Sequence, residues 1–135
     1  MDISDSLSKV DINSISELGL AYIGDCVFEL LTRTELCLSG EKKSGSLHKK
    51  TVAFVNANAQ AESAAILTGY LTEEEAVIYR RGRNTKVYSV PKNSSVANYH
   101  AATGLETLFG WLYLTGRNDR IYELFALIKD RLYVD

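Results

Sequence analysis

Two acids stand in stretches where helical patterning calls for apolar side chains. Asp25 lies in LAYIGDCVFELL, with Ala21, Tyr22, Phe28 and Glu29 three and four residues away. Glu106 lies in ATGLETLFGWLYL, flanked by Gly104, Phe109 and Gly110. A carboxylate buried without a partner costs on the order of several kcal/mol, so each needs a cation, a hydrogen-bond network or solvent. Two glycines inside a helix each cost about 1 kcal/mol against alanine, a cost that close backbone approach would justify. One reading pairs each acid with a buried arginine or a local cap. The other brings the two carboxylates together from distant helices to hold a hard divalent cation. Mg2+ suits such a pair, because it takes few protein carboxylates, keeps several waters and accepts phosphate oxygens as further ligands. A water bound to it becomes a better nucleophile, and phosphate charge is neutralised during in-line displacement.

The elements that must position these acids read as helices throughout. Ser14 and Glu17 have capping-box spacing, and apolar residues then recur at three and four from Ile15 to about Leu38, until Gly40. A second helix is expected from Ser46 to Gly69, with His48, Lys49 and Lys50 in its first turn. A third starts at Thr72, whose capping partner is Glu75, and runs to Gly82. Residues 81–95, RGRNTKVYSVPKNSS, read as a long basic loop with the only proline; loops of this length in a compact domain are usually functional or mobile. Ser94 or Ser95 then caps a helix that stops at Gly116, and Asn118 or Asp119 opens a last amphipathic one. Trp111, Tyr113, Phe109 and Tyr122 fall at helical spacing and read as core. No stretch alternates as a strand would, so the fold class is all-α, one domain over residues 1–135 with a core of about 14–132.

Charge is unevenly spread. The chain has a net charge of -2, yet residues 42–92 hold nine of its fifteen Lys and Arg against four acids, a local +5. That is a solvated face or a surface turned toward a polyanion. Cys26 and Cys37 are eleven residues apart in one expected helix. At 1.5 Å of rise per residue they stand roughly 16 Å apart, too far to bridge, which suits a reducing cytoplasm. No apolar run approaches the ~18–20 residues of a membrane span, and the polar, acidic start reads as neither signal nor transit peptide.

YIGDCVFELL resembles the signature of ribonuclease III domains, and TGLETLFGWLYL resembles that family's second acidic segment. Residues 19–33, 47–50 (LHKK), 72–93 and 99–117 are together similar to mini-ribonuclease III, the short bacterial form lacking a double-stranded RNA-binding domain. Two departures from the larger enzymes match that subgroup: Ala21 and Thr103 stand where two further metal-binding carboxylates are usual.

The resemblance implies a helical homodimer joined through the signature helix, with Asp25 and Glu106 as the catalytic and metal-binding residues. It also implies Mg2+, with Mn2+ as a substitute, and hydrolysis of double-stranded RNA to 5′-phosphate and 3′-hydroxyl ends. The implied substrate is the 23S ribosomal RNA precursor, and a ribosomal protein is an implied partner. Glu29, one turn after Asp25, either assists through water or is a plain helix-end charge. His48, Lys49, Lys50, Arg81, Arg83, Asn84, Lys86 and Lys92 then have a task, contacting the RNA backbone, since duplex RNA is read mainly by shape and phosphates. His48 lacks a close acid partner and reads as phosphate-facing more than as a metal ligand. The competing classes are a non-catalytic RNA-binding or ribosome-assembly module, and a structural dimer whose acids pair with arginines.

Overall fold

The structure, a computed structural model, describes residues 11–86, 89, 90, 92 and 94–133. The expected polar N-terminal segment falls outside those residues up to position 10, as do Val87, Tyr88, Pro91 and Asn93 of the basic loop. The described residues form six α-helices and no strand: α1 Glu17–Leu38, α2 Ser44–Val55, α3 Ala57–Leu67, α4 Glu73–Arg83, α5 Val96–Leu114 and α6 Asn118–Leu132.

Helix α5 is the axis of the molecule. Every residue from Ala102 to Leu112 except Glu106 is buried, so this helix is apolar nearly all round, as a central helix must be. Helices α1, α3, α4 and α6 all pack on it. Phe28 of α1 sits at its middle with no exposed surface, edge-on to both Phe109 (centroids 5.6 Å apart) and Phe125 (5.9 Å). Phe109 and Trp111 are core residues as expected, whereas Tyr113 is half-buried and Tyr122 is 63% exposed.

Local chemistry relocates two of the expected boundaries. Ser14 does not cap α1. It belongs to a short 3-10 turn, Ile12–Ser14, and its hydroxyl donates to the Asp11 carbonyl. Ser16 caps the helix instead, accepting from the Gly19 amide at 3.0 Å. The single helix expected over 46–69 is two helices broken at Asn56, which is extended (ψ 162°). Its Nδ2 donates to the carbonyls of Val52 and Ala53, and its Oδ1 accepts from the Ala59 amide at 2.9 Å. One side chain thus closes α2 and opens α3.

The capping box of α4 is present as expected, with Thr72 Oγ1 accepting from the Glu75 amide and Glu75 Oε1 accepting from the Thr72 amide. Glu75 is also gripped by Arg120 of α6, whose Nε and Nη2 each donate to it at 2.9 Å. Burial works to raise the Glu75 carboxyl, but Arg120 and the Thr72 amide outweigh it and hold it below the usual range. Helix α4 is therefore fixed at its acidic end, while its basic end projects toward the segment that leads to α5.

Candidate active site

Gly24 and Gly110 mark where α1 crosses α5. A methyl group on Gly24 would overlap the backbone carbonyl of Glu106, and one on Gly110 would overlap that of Leu20. Only glycine permits this backbone contact. Thr107, beside Glu106, adds a hydrogen bond from its hydroxyl to the Glu17 carbonyl at 3.3 Å. On its other side Thr107 packs against Gly82 of α4, where a Cβ would not fit. The crossing sets the residue after Gly24 beside Glu106, so the two acids distant in sequence come together.

Asp25 is exposed rather than turned into the core, and Glu106 is partly buried beneath it. The Glu106 carboxyl is pushed up to about 8, first by burial, then by the charge of Asp25 and a hydrogen bond between the two side chains. Neither acid forms an ion pair among the described residues, so the alternative of arginine partners does not hold there. Glu29 is occupied by Arg33, one turn on, at 3.0 Å. No group of three or more His, Cys, Asp or Glu side chains converges among the described residues. The site is a two-carboxylate site open to solvent on the Asp25 side.

The basic residues divide into held and unheld. Lys50 reaches Glu41 at 3.1 Å, and the Glu41 carboxyl is lowered to about 2, chiefly by that bond. Arg81 is tied to Glu17 through Nε at 3.0 Å. Arg83 and Asn84 are neighbours, with Arg83 Nε donating to Asn84 Oδ1 at 3.4 Å. His48 and Arg33 share the lining of a cavity of about 230 Å3 between α1 and α2. Lys49, Lys86 and Lys92 are exposed and unpaired among the described residues. The basic pattern missed His100, which lines a depression together with Arg83 and Asn84. A single histidine in NYHAAT carries no local signal of that position.

A ribonuclease III domain matches residues 18–117, the span that carries both acids and the α1–α5 crossing. The chain belongs to the ribonuclease III family. A Mini-ribonuclease 3 of Clostridium tetani is 41% identical over 93% of this chain and 84% of its own length. One of Thermoanaerobacter is 42% identical over 94% and 89%, and one of Gloeobacter violaceus 44% identical over 92% and 90%. A crystal structure of a Fusobacterium nucleatum protein superposes with a TM-score of 0.81 at 31% identity, over 89% of this chain and 98% of that one. The fold is thus that of the family, and the protein is a ribonuclease III-type endoribonuclease acting on double-stranded RNA.

Proposed function

We propose that Asp25 and Glu106 are the catalytic residues and together hold Mg2+, or Mn2+ in its place. The observation that carries this is the glycine crossing: it presses two acids into contact and supplies no cation for them. A carboxyl pushed to about 8 by burial and a like charge is what a divalent cation would relieve. The exposure of Asp25 leaves room for the waters and phosphate oxygens such an ion requires. When bound there, it would activate a water and neutralise charge on the phosphate under attack. The chain's own part is to keep the two carboxyl groups at a fixed separation and facing the strand; a bound cation would favour the ionised form of Glu106.

Affinity for the duplex comes from His48, Lys49, Lys50, Arg81, Arg83, Asn84, Lys86 and Lys92. The working unit is a homodimer through the exposed apolar stripe of α1, which puts one acid pair against each strand. The precursor of 23S ribosomal RNA is the substrate, with a ribosomal protein as a partner. A reducing cytoplasm accommodates Cys26 and Cys37, both free and exposed. Among the described residues no helix is long and apolar enough to cross a membrane.

Incubation of the purified protein with precursor ribosomal RNA, with and without Mg2+, tests this. Discrete ends cut only with the metal are expected. Asp25→Asn keeps shape and removes charge, and should slow cleavage by at least ~100-fold while duplex binding persists. Cutting by Asp25→Asn at the wild-type rate would refute the assignment.

A further inference from the structure

Where the end of α4 meets the first turns of α5, Arg83, Asn84, Ala97 and His100 line an open depression of about 440 Å3. Its polar groups all point to one kind of ligand. Arg83 has no carboxylate partner among the described residues, and its guanidinium is held 5.8 Å from the centroid of the Tyr79 ring. Asn84 uses its Oδ1 to accept from Arg83 Nε, so what it offers outward is its Nδ2 amide. His100 Nδ1 is buried and has no partner among the described residues. A neutral imidazole carries one N–H, and placing that proton on Nδ1 would strand a buried donor. The ring nitrogen left to a ligand is therefore Nε2, which can donate to an acceptor placed there.

Among its side chains the depression offers the Arg83 charge, the Asn84 amide and a histidine nitrogen able to donate. A 2′-hydroxyl or a base edge asks for both donors and acceptors, whereas a phosphodiester has only acceptor oxygens and carries the matching charge. We propose that this depression is a subsite for one backbone phosphodiester of the RNA strand. In it Arg83, Asn84 Nδ2 and His100 Nε2 donate to the non-bridging oxygens. His100 lies six residues before Glu106 on the same helix, about 9 Å along its axis. Gly82, next to Arg83, packs on Thr107, next to Glu106. The subsite therefore serves the stretch of strand that the acid pair addresses, and its role is to hold that strand in place. It rests on the reading of the protein as a duplex-RNA nuclease, and adds to it a site and a residue, His100.

The test uses a short RNA duplex, binding measured in EDTA over a range of KCl, and Arg83→Gln and His100→Phe proteins whose melting curves match wild type. Each substitution should weaken binding roughly 5- to 20-fold. Arg83→Gln should also flatten the log–log salt slope by about 0.9, because it removes one charge from the phosphate contact. Single methylphosphonates stepped along the strand should reveal one position that weakens wild-type binding by a similar factor and has no further effect on either variant. With Mg2+, cleavage at subsaturating protein should fall by the same factor as binding. If wild type binds the duplex and both variants bind equally well, or every methylphosphonate effect adds fully to theirs, the subsite is overturned while the duplex-RNA reading stands. Failure of wild type to bind duplex RNA at low salt would instead overturn that reading, and the subsite with it.

Discussion

Glu106 carries the sharpest electrostatic consequence of the site. Its carboxyl, pushed up to about 8 by burial and by Asp25, keeps its proton in the folded chain at pH values where an unfolded chain has released it. A raised carboxyl contributes stability below its unfolded value near 4.5, and that contribution is lost as pH rises through the folded value. The metal-free protein should therefore lose stability steadily between pH 5 and pH 8, by at most about 1.4 kcal/mol per pH unit, and level off above. Urea denaturation in EDTA at a series of pH values measures this, and Glu106→Gln should flatten the profile and be the more stable protein at pH 9. An unchanged slope in Glu106→Gln would mean that another group titrates. The basic residues also rank by their partners. Lys49 and Arg83 carry no ion pair among the described residues, while Lys50 and Arg81 are shared with Glu41 and Glu17. Alanine at Lys49 or Arg83 should accordingly reduce the salt slope of duplex binding more than alanine at Lys50 or Arg81.

Between elements, the decisive contact is the crossing of α1 and α5. Backbone meets backbone there because Gly24 and Gly110 have no side chains, and the separation of Asp25 from Glu106 is set by that approach. Gly24→Ala would place a methyl group on the Glu106 carbonyl, so the helices must part or shift. Overpacking of this kind costs about 1–3 kcal/mol or more. Two results are expected of Gly24→Ala: a lower urea midpoint, and a loss of cleavage greater than its unfolded fraction explains, because the acids are pulled apart. A variant that is destabilised yet cleaves normally per folded molecule would show that the crossing supports the fold without setting the site. Gly45, which has open space around its Cβ position, is the control.

For the whole molecule, one face of α1 is left without a covering in the single chain. Leu18 is 42% exposed, Tyr22 81% and Leu30 64%, at spacings of four and eight residues, with exposed Cys26 between the last two. Ile23 and Val27, also on α1, are half-buried, and Val27 packs against the core. The better probes of assembly are thus Tyr22 and Leu30. Sedimentation equilibrium at micromolar concentration should give about 30 kDa for the wild type, twice the 15.0 kDa of the chain. Tyr22→Asp and Leu30→Asp should shift that toward a single chain and reduce cutting of both strands in one encounter. A monomeric wild type that still cuts both strands together would reject the dimer.

The helices, most of their ends and the identity of the two unusual acids were legible in the sequence, because each depends on residues no more than four positions apart. Thr72 with Glu75, Ser95 before Val96, and the apolar recurrence through α1 and α5 are signals of this kind. Even the cost of glycine at 110 was readable as a sign of close packing. What the glycine packs against was not. Only the crossing of α1 and α5 decided that Asp25 would meet Glu106, that it would be exposed while Glu106 is partly buried, and that no arginine among the described residues would neutralise them. Asn56 makes the same point at smaller scale, since an apolar-patterned stretch reads as one helix until its side chain is seen capping both neighbours. His100 is legible only in three dimensions: its spacing says nothing, and it becomes informative once one ring nitrogen is buried without a partner and the residue lines a depression with Arg83 and Asn84. Periodicity reports which face of a helix is buried, while charge, proton and ligand depend on what the neighbouring helix brings to that face.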